Sequence, residues 1–571
     1  MTLEDIAQRA FAGDYSGALD ACRRQRVNTK TRHLGAYISG YCHYHLQSFN
    51  AAAEFFDAAL RLAPRDIDTM VYAINAHNNA GRPVEALKIA IDCLDDWPSD
   101  QTPDALQRLL GAAMDCLTRM DASEQRASLA AQLVTRLEQT EGVFPVDHAI
   151  LTALADGPEL DEPALRALLD GIKQPTYRLG KIMSVQDAVG AGLGQFALQS
   201  PPDDVQFARL TGPLWANTDE FDVIPGYSGY VASLFNAIVS GQSGAVFTDG
   251  GAIISDSYAD ARYASEVNLR ADEFVRTRLG NDAVYEVPDI QRDIPCAINL
   301  SGSASNHFGH WFSEYLPRLR HFCALSDFDA LPILINDDMP KTHADFLSAI
   351  CDNPVITVGR TEAVRIKTLY VAPTITFYPF DLRAGHKVPY EHQASWSGPA
   401  MQFLRDRVLA RFDGSETAPH ADIYLSRQNS TWAKPKNEDS FVDALAQRGI
   451  HPVFLEKQSF AEQIATIRSA KTIVAPIGSA LNMLIFARPE TRILVFMQQF
   501  SHNWGGWAGP LRQIGIHPHM AKMQQGSAGQ KHTSIEMRTD ILDAFLSGDL
   551  DSVAPLDNEK PSFWRRLWAR R

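Results

Sequence analysis

The sequence predicts an α/β protein preceded by an all-α solenoid. Three observations predict it: a 34-residue period near the start, a regular strand–helix alternation from Asp422 onward, and the composition of an ordinary globular chain. With 45% apolar and 21% charged residues in 571, the chain is too long for one hydrophobic core, and two to four domains are expected. The formal charge of −15 argues against a general nucleic-acid binder, because phosphate backbones are held by clustered Lys and Arg. A local basic site for nucleotide phosphates is compatible with that charge.

The solenoid comes first. Shifting the chain by 34 residues aligns Ala18 with Ala52 and Ala86, Gly13 with Gln47 and Gly81, Pro64 with Pro98, Ala59 with Cys93 and Asp66 with Asp100. Small residues at fixed places let antiparallel helices approach closely, and a helix-ending proline, Pro64 or Pro98, closes two of the three units. In the clearest unit, Gly40 to Pro64, Ala52, Phe56 and Ala59 form an i, i+4, i+7 apolar face. Residues 102–140 continue as helix, with Leu106, Leu110, Ala113 and Leu117 in phase. The pattern over residues 1–140 resembles tetratricopeptide repeats, the alternative being a helical bundle with a chance period. Such repeats imply a protein partner or self-association through a concave face. Residues 141–225 read as a helical connector. Gly190-Ala-Gly-Leu-Gly194 lacks the last glycine of a dinucleotide fingerprint and follows no clear strand.

From about residue 226 short β-rich runs appear, at 244–248, 252–255, 331–336 and 368–373. Beyond Asp422 the order becomes regular, with strands expected at 422–426, 452–455, 472–475 and 492–496 and helices at 438–448, 460–469 and 480–487. Asn437 stands as an N-cap, Ser459 and Glu462 as a capping box, and Gly449 as a helix end. This alternation predicts a doubly wound, mostly parallel sheet with its ligand at the carboxyl ends of the strands.

Two segments carry candidate chemistry. The first is Asn306-His-Phe-Gly-His-Trp-Phe-Ser-Glu-Tyr-Leu-Pro-Arg-Leu319. The second runs from Ile423-Tyr-Leu-Ser-Arg427 through Asn437-Glu438 and Phe460-Ala-Glu-Gln463 to Ala475-Pro-Ile-Gly-Ser-Ala-Leu-Asn482 and Ile485-Phe486. In order and spacing they resemble glycosyltransferase family 61, known in bacteria as capsular polysaccharide biosynthesis proteins, over roughly residues 226–525. The resemblance implies a GT-B fold, two Rossmann-like domains facing across a cleft. Here 226–395 would be the acceptor half, 396–545 the nucleotide-sugar half and 546–571 a tail. It also implies inverting, metal-independent transfer from a nucleotide sugar to a polysaccharide, glycolipid, lipid-linked or protein acceptor, with no further cofactor.

The residues support a consistent assignment. Gly478, Ser479 and Asn482 sit where a strand runs into a helix, a place whose free N–H groups attract anions, or which is a plain turn with a capping serine. Arg427 closes a strand where paired, charge-assisted bonds would hold a leaving diphosphate; otherwise it is a solvated loop arginine. His310 and Glu314 share a helix face. The family pattern makes Glu314 the base that takes the acceptor's proton, with His310 orienting the acceptor or the base, against a surface carboxylate and a half-buried imidazole. Asn306, His307, Arg318, Asn437 and Glu438 are supporting candidates, with Lys434 and Lys436 as added charge. Two positions depart from the family. Ile477 replaces a polar residue, and the strand ending Phe496-Met-Gln lacks the usual glutamate. These departures keep open altered donor use, another group transfer on the same fold, or a non-catalytic scaffold with a degenerate domain. A metal hydrolase using His307, His310 and Glu314 does not match known zinc-helix spacings, and Asp327-Phe-Asp329 precedes its strand and reads as a loop.

Seven scattered cysteines without a C-x-x-C pair, and a start without a basic, apolar leader, lead us to expect a cytoplasmic protein. The tail Phe563-Trp-Arg-Arg-Leu-Trp-Ala-Arg-Arg571 puts Trp564, Leu567 and Trp568 on one stripe flanked by arginines. It suits weak attachment to the inner membrane face, or docking on the protein's own acidic surface.

Overall fold

The computed structural model describes residues 2–553 apart from 12–14, 25–31, 96, 98–101, 141–143, 174–175, 211–213, 217–219, 226–227, 256–271, 273, 375–395, 413–420, 431–433, 499–503 and 524–534. The tail 563–571, Gly13, Pro98 and Asp100 therefore lie outside the described residues. Helices come first and sheets follow, as the sequence predicts.

Helices pair in the first part, Arg32–His45 with Phe49–Leu62 and Ile67–Asn79 with Pro83–Asp95. The small residues do the packing. Ala52, Ala59 and Ala86 are fully buried, and a Cβ at Gly40 would stand 2.8 Å from the ring of Phe56. The turn between partners recurs one period apart. Gln47 and Gly81 both adopt left-handed backbone, at φ 57° and 78°. Ser48 N–H donates to His43 O at 2.8 Å, and Arg82 N–H to His77 O at 2.9 Å. Gln47, the odd member of its column, thus takes the strained conformation that glycine takes elsewhere. Residues 102–140 form two helices, Pro103–Arg119 and Glu124–Leu137.

The expected connector differs. It is helical at Pro145–Ala155 and Glu162–Asp170, then extended in Tyr177–Met183 and Gly194–Ser200, with the short helix Val185–Gly190 between them. Strand Tyr177–Met183 pairs with Asp282–Glu286, and strand Gly194–Ser200 with Gly229–Ser240. Leu179, Leu279 and Val284 complete the helical core, and Arg276 makes a forked ion pair with buried Asp147 at 2.6 and 2.8 Å. The helical part is therefore joined to the first sheet by shared packing.

That first sheet is mixed, with eleven strands among the described residues. Four neighbours, Val355–Val358, Ile333–Asn336, Ile290–Asn299 and Ala363–Val371, run parallel. Gly229–Ser240, Val246–Thr248 and Ala252–Ile254 follow as antiparallel neighbours. Connections of a few residues between those strands can only return antiparallel, so this half is not the plain Rossmann-like sheet expected.

The second sheet follows expectation. Its order is His451–Val453, Ala421–Leu425, Ala470–Pro476, Arg492–Gln498 and His519–Met523, all parallel, with Trp215–Ala216 antiparallel at the far edge. Ile473, Ile493 and Val495 face Phe460–Arg468, Gly398–Arg411 and Gly505–Gln513. Tyr424, Val474 and Phe496 face Glu438–Ala446 and Thr539–Ser547. Helices thus cover both faces. The order reverses between the first and third strands in sequence, Ala421–Leu425 and Ala470–Pro476, which is where such sheets bind ligands. The two sheets share one core, in which Phe346 stacks on Phe460 at 4.5 Å.

Candidate active site

Arg427 and Gly478 follow the two strands that flank the switch point. The Arg427 guanidinium lies directly over Gly478. A Cβ there would overlap Nη1 and sit 3.0 Å from Cζ. Gly478 has extended backbone, φ 166°, so it is glycine for the space it leaves. Nη1 points to the Ile477 carbonyl at 3.4 Å, and Nη2 donates to Ser430 Oγ at 3.0 Å. Burial pulls the Arg427 pKa below its ordinary value, while Glu438 and Tyr424 oppose that shift. An arginine starts so far above neutrality that its charge remains.

Glu438 organises this edge. It is 1% exposed, and its Oε1 accepts from Tyr424 Oη at 2.9 Å, Ser426 Oγ at 3.1 Å and the Arg427 N–H at 2.6 Å. One carboxylate thereby fixes the strand end that carries Arg427. Asn437 stands at the N-cap position without making a side-chain cap bond. Its amide instead donates to Met537 O at 2.7 Å and accepts from Met537 N at 2.8 Å, tying the segment Asn437–Glu438 to a chain 100 residues away.

Ser479 and Asn482 lie on a 3-10 helix, Ser479–Phe486, rather than the expected α-helix. Asn482 is buried. Ile477 and Phe496 are both core residues. Ile477 N–H donates to Phe496 O at 2.9 Å, and the Phe496 ring meets Phe441 edge-on at 5.4 Å. The apolar departures noted in the sequence are thus absorbed in packing.

The first motif begins as the short helix Phe308–His310 and continues as a π-turn, Trp311–Tyr315. Leu316 N–H reaches Trp311 O, five residues back, and Pro317 follows. Proline offers no N–H to carry an ordinary i→i−4 ladder onward, and single π-turns of this kind concentrate at functional sites. His310 Nδ1 and Glu314 Oε1 are hydrogen-bonded, both largely buried. Glu314 lines a cavity with Arg318, Ser301, Ser303 and Thr374, beside the carboxyl ends of Ile290–Asn299 and Ala363–Val371. Arg318 donates to Glu314 O at 3.0 Å and to Thr374 Oγ1 at 2.7 Å. His307 has its ring 5.9 Å from that of His310, and burial, helped by His310, lowers its pKa. Asn306 turns away to Asp338 at 2.6 Å.

The two motifs meet. A Cβ at Gly309 would lie 3.9 Å from Ser479 Cβ, and Glu314 comes five residues later, roughly 7 Å along a helical path. That contact joins the segments carrying Arg427, Gly478 and Ser479 on one hand and His310 and Glu314 on the other, while the cavity lined by Glu314 and Arg318 includes none of Arg427, Gly478 and Ser479. Asn306 and Asn437 serve neighbouring segments instead. Sequence reading missed Ser430 and Thr374, which hold the two arginines. The polar run Arg427-Gln-Asn-Ser430 directly after a strand was the available signal for the first. Among the described residues, no three His, Cys, Asp or Glu converge as metal ligands would.

Comparisons with known proteins bear on the same segment. The family model described as Glycosyltransferase 61 matches residues 308–494, about a third of the chain. No curated protein matches. Among solved structures, the Hsp90 co-chaperone Cns1 from Saccharomyces cerevisiae (delta69) is similar over 40% of this chain and 65% of its own, at 12% identity. Its TM-score is 0.18, which carries no structural argument.

Proposed function

We propose that this chain is a glycosyltransferase of the family 61 type, moving a sugar from a nucleotide-sugar donor to a glycan or lipid-linked acceptor with inversion and without a metal. One observation carries the reading. The matched stretch 308–494 contains the second motif and all of the first but Asn306 and His307, and the two meet at Gly309 and Ser479. The donor's diphosphate lies against the turn Gly478–Ser479 and Asn482, under the Arg427 guanidinium. The acceptor hydroxyl attacks the anomeric carbon from the Glu314 side, and its proton passes to Glu314. The bond from the anomeric carbon to the diphosphate oxygen breaks, and Arg427 holds the charge that leaves. His310 orients Glu314 through their hydrogen bond, Glu438 fixes Arg427, and Arg318 shapes the acceptor cavity.

The same reading assigns 226–395 to the acceptor half and 396–545 to the donor half of a GT-B pair. It treats 1–140 as tetratricopeptide-type repeats that recruit a protein partner or a second copy. It places the work in the cytoplasm, with the tail 563–571 touching the inner membrane face. No helix among the described residues is long and apolar enough to cross a membrane.

Nucleoside diphosphates tested with EDTA present provide the check. A ligand at one hundred times its dissociation constant stabilises the native state by about 2.7 kcal/mol, which a thermal melt reads directly. Arg427→Ala should remove most of that shift. An unchanged shift in the variant, or an absolute need for Mg²⁺, overturns the donor assignment.

A further inference from the structure

A second cavity draws on chain neighbours of the residues around the one lined by Glu314, although the two share no lining residue. Arg320 and His321 follow Arg318, Tyr230 and Val231 precede Leu234 on strand Gly229–Ser240, and Pro373 precedes Thr374. Leu198–Asp203 and Ser397 close the remaining wall.

Its polar groups cancel in charge. The Asp203 carboxylate accepts from the Arg320 guanidinium and from Ser397 Oγ at 2.8 Å. His321 is half-buried, and burial pulls its pKa down to about 4, so the imidazole is neutral at pH 7. Gly229 makes room for it, since a Cβ there would stand 2.5 Å from His321 Cε1. The rest of the wall is apolar but not closed. Tyr230 is half-buried and stands edge-on to Phe196 at 5.4 Å, and Leu198 is 36% exposed.

A phosphate would find no net positive charge here, and a hydrocarbon chain would leave the carboxylate, imidazole and hydroxyl unused. A ligand with apolar faces and many hydroxyls uses both kinds of wall. We propose that this second cavity binds the further sugar units of a neutral oligosaccharide acceptor, so that chains of two or more sugars bind better than a monosaccharide. The inference rests on the glycosyl-transfer reading and adds to it a length requirement on the acceptor.

The full-length protein would be titrated with mono- to tetrasaccharides of the cello-, malto-, xylo- and chito- series, and separately with nucleoside diphosphates. Affinity in at least one series should rise tenfold or more from one sugar to three. Tyr230→Ala should abolish that rise, and Leu198→Ala, an exposed position that folding tolerates, should reduce it. Nucleoside diphosphate binding should be untouched in both variants. No saccharide binding in any series, or a length dependence that survives both substitutions, overturns the assignment. Nucleotide binding without saccharide binding sinks the cavity assignment alone. Saccharide binding without nucleotide binding sinks the transferase reading and leaves a saccharide site.

Discussion

Gly40 in the helical first part and Gly478 just beyond a strand of the second sheet are glycines for one geometric reason, with different results. Each leaves space for a side chain from elsewhere. At Gly40 the occupant is the Phe56 ring, one helix away, and the contact is dry. At Gly478 it is the Arg427 guanidinium, fifty residues back, brought there by a strand end and held by Ser430 and the backbone beside it. A small residue therefore reports only that something comes close. What comes close decides whether the position belongs to the scaffold or to the site.

That contrast can be broken by experiment. The largest effect is expected where packing does not change at all. Glu314→Gln keeps shape but cannot take the proton, so turnover should fall roughly 10²–10⁴-fold with nucleoside diphosphate binding intact; near-normal turnover would move the role to another residue. Gly478→Ala comes next. The added methyl must displace Arg427, so the nucleotide-induced stabilisation, about 2.7 kcal/mol at saturating ligand, should largely vanish. Gly40→Ala should instead lower stability by about 1–3 kcal/mol through overpacking, with nucleotide binding retained. If Gly40→Ala impairs nucleotide binding, or Gly478→Ala leaves it intact, the distinction between the two glycines fails.

Acid should act most gradually. Burial lowers both His321 and His343 from 6.5 to about 4. The unfolded chain binds these protons first, so their contribution is fully present above about pH 6.5 and is lost as pH falls toward 4. The slope cannot exceed about 1.4 kcal/mol per pH unit for each imidazole. Melting temperatures measured from pH 7 to 4 should decline across that window, and a flat profile would show that both imidazoles take up protons in the folded state.

Much of the second sheet was legible because each signal was local. Ser459 and Glu462 form the capping box, and Gly449 ends its helix at φ 73°. Strands there are short apolar runs between helices. The first sheet was less legible because its strands are defined by distant partners. Tyr177 pairs with Glu286, and Gly180 is glycine because Tyr285 stands 2.7 Å from where its Cβ would be. Within 141–225 alone nothing announces either contact. The site divides the same way. The i, i+4 spacing put His310 and Glu314 on one face, where they bond, although the π-turn beneath them was not foreseen. The overlay of Arg427 on Gly478 joins two segments that no window of sequence contains. Ile477 and Phe496 looked like lost polar groups until their neighbours were known.

Trp215–Ala216 closes the far edge of the second sheet by pairing with His519–Met523, and nearby Lys522 Nζ donates to Leu210 O across 312 residues of chain. On a ribosome adding about 5–20 residues per second, the early segment waits roughly 15–60 s for its partner to be made. During that interval it can neither pair nor be covered, and contacts of such long sequence separation are slow to close even afterwards. The second sheet therefore cannot complete its far edge until residues 519–523 have been made. A chain cut between its two halves would be born with an open sheet edge.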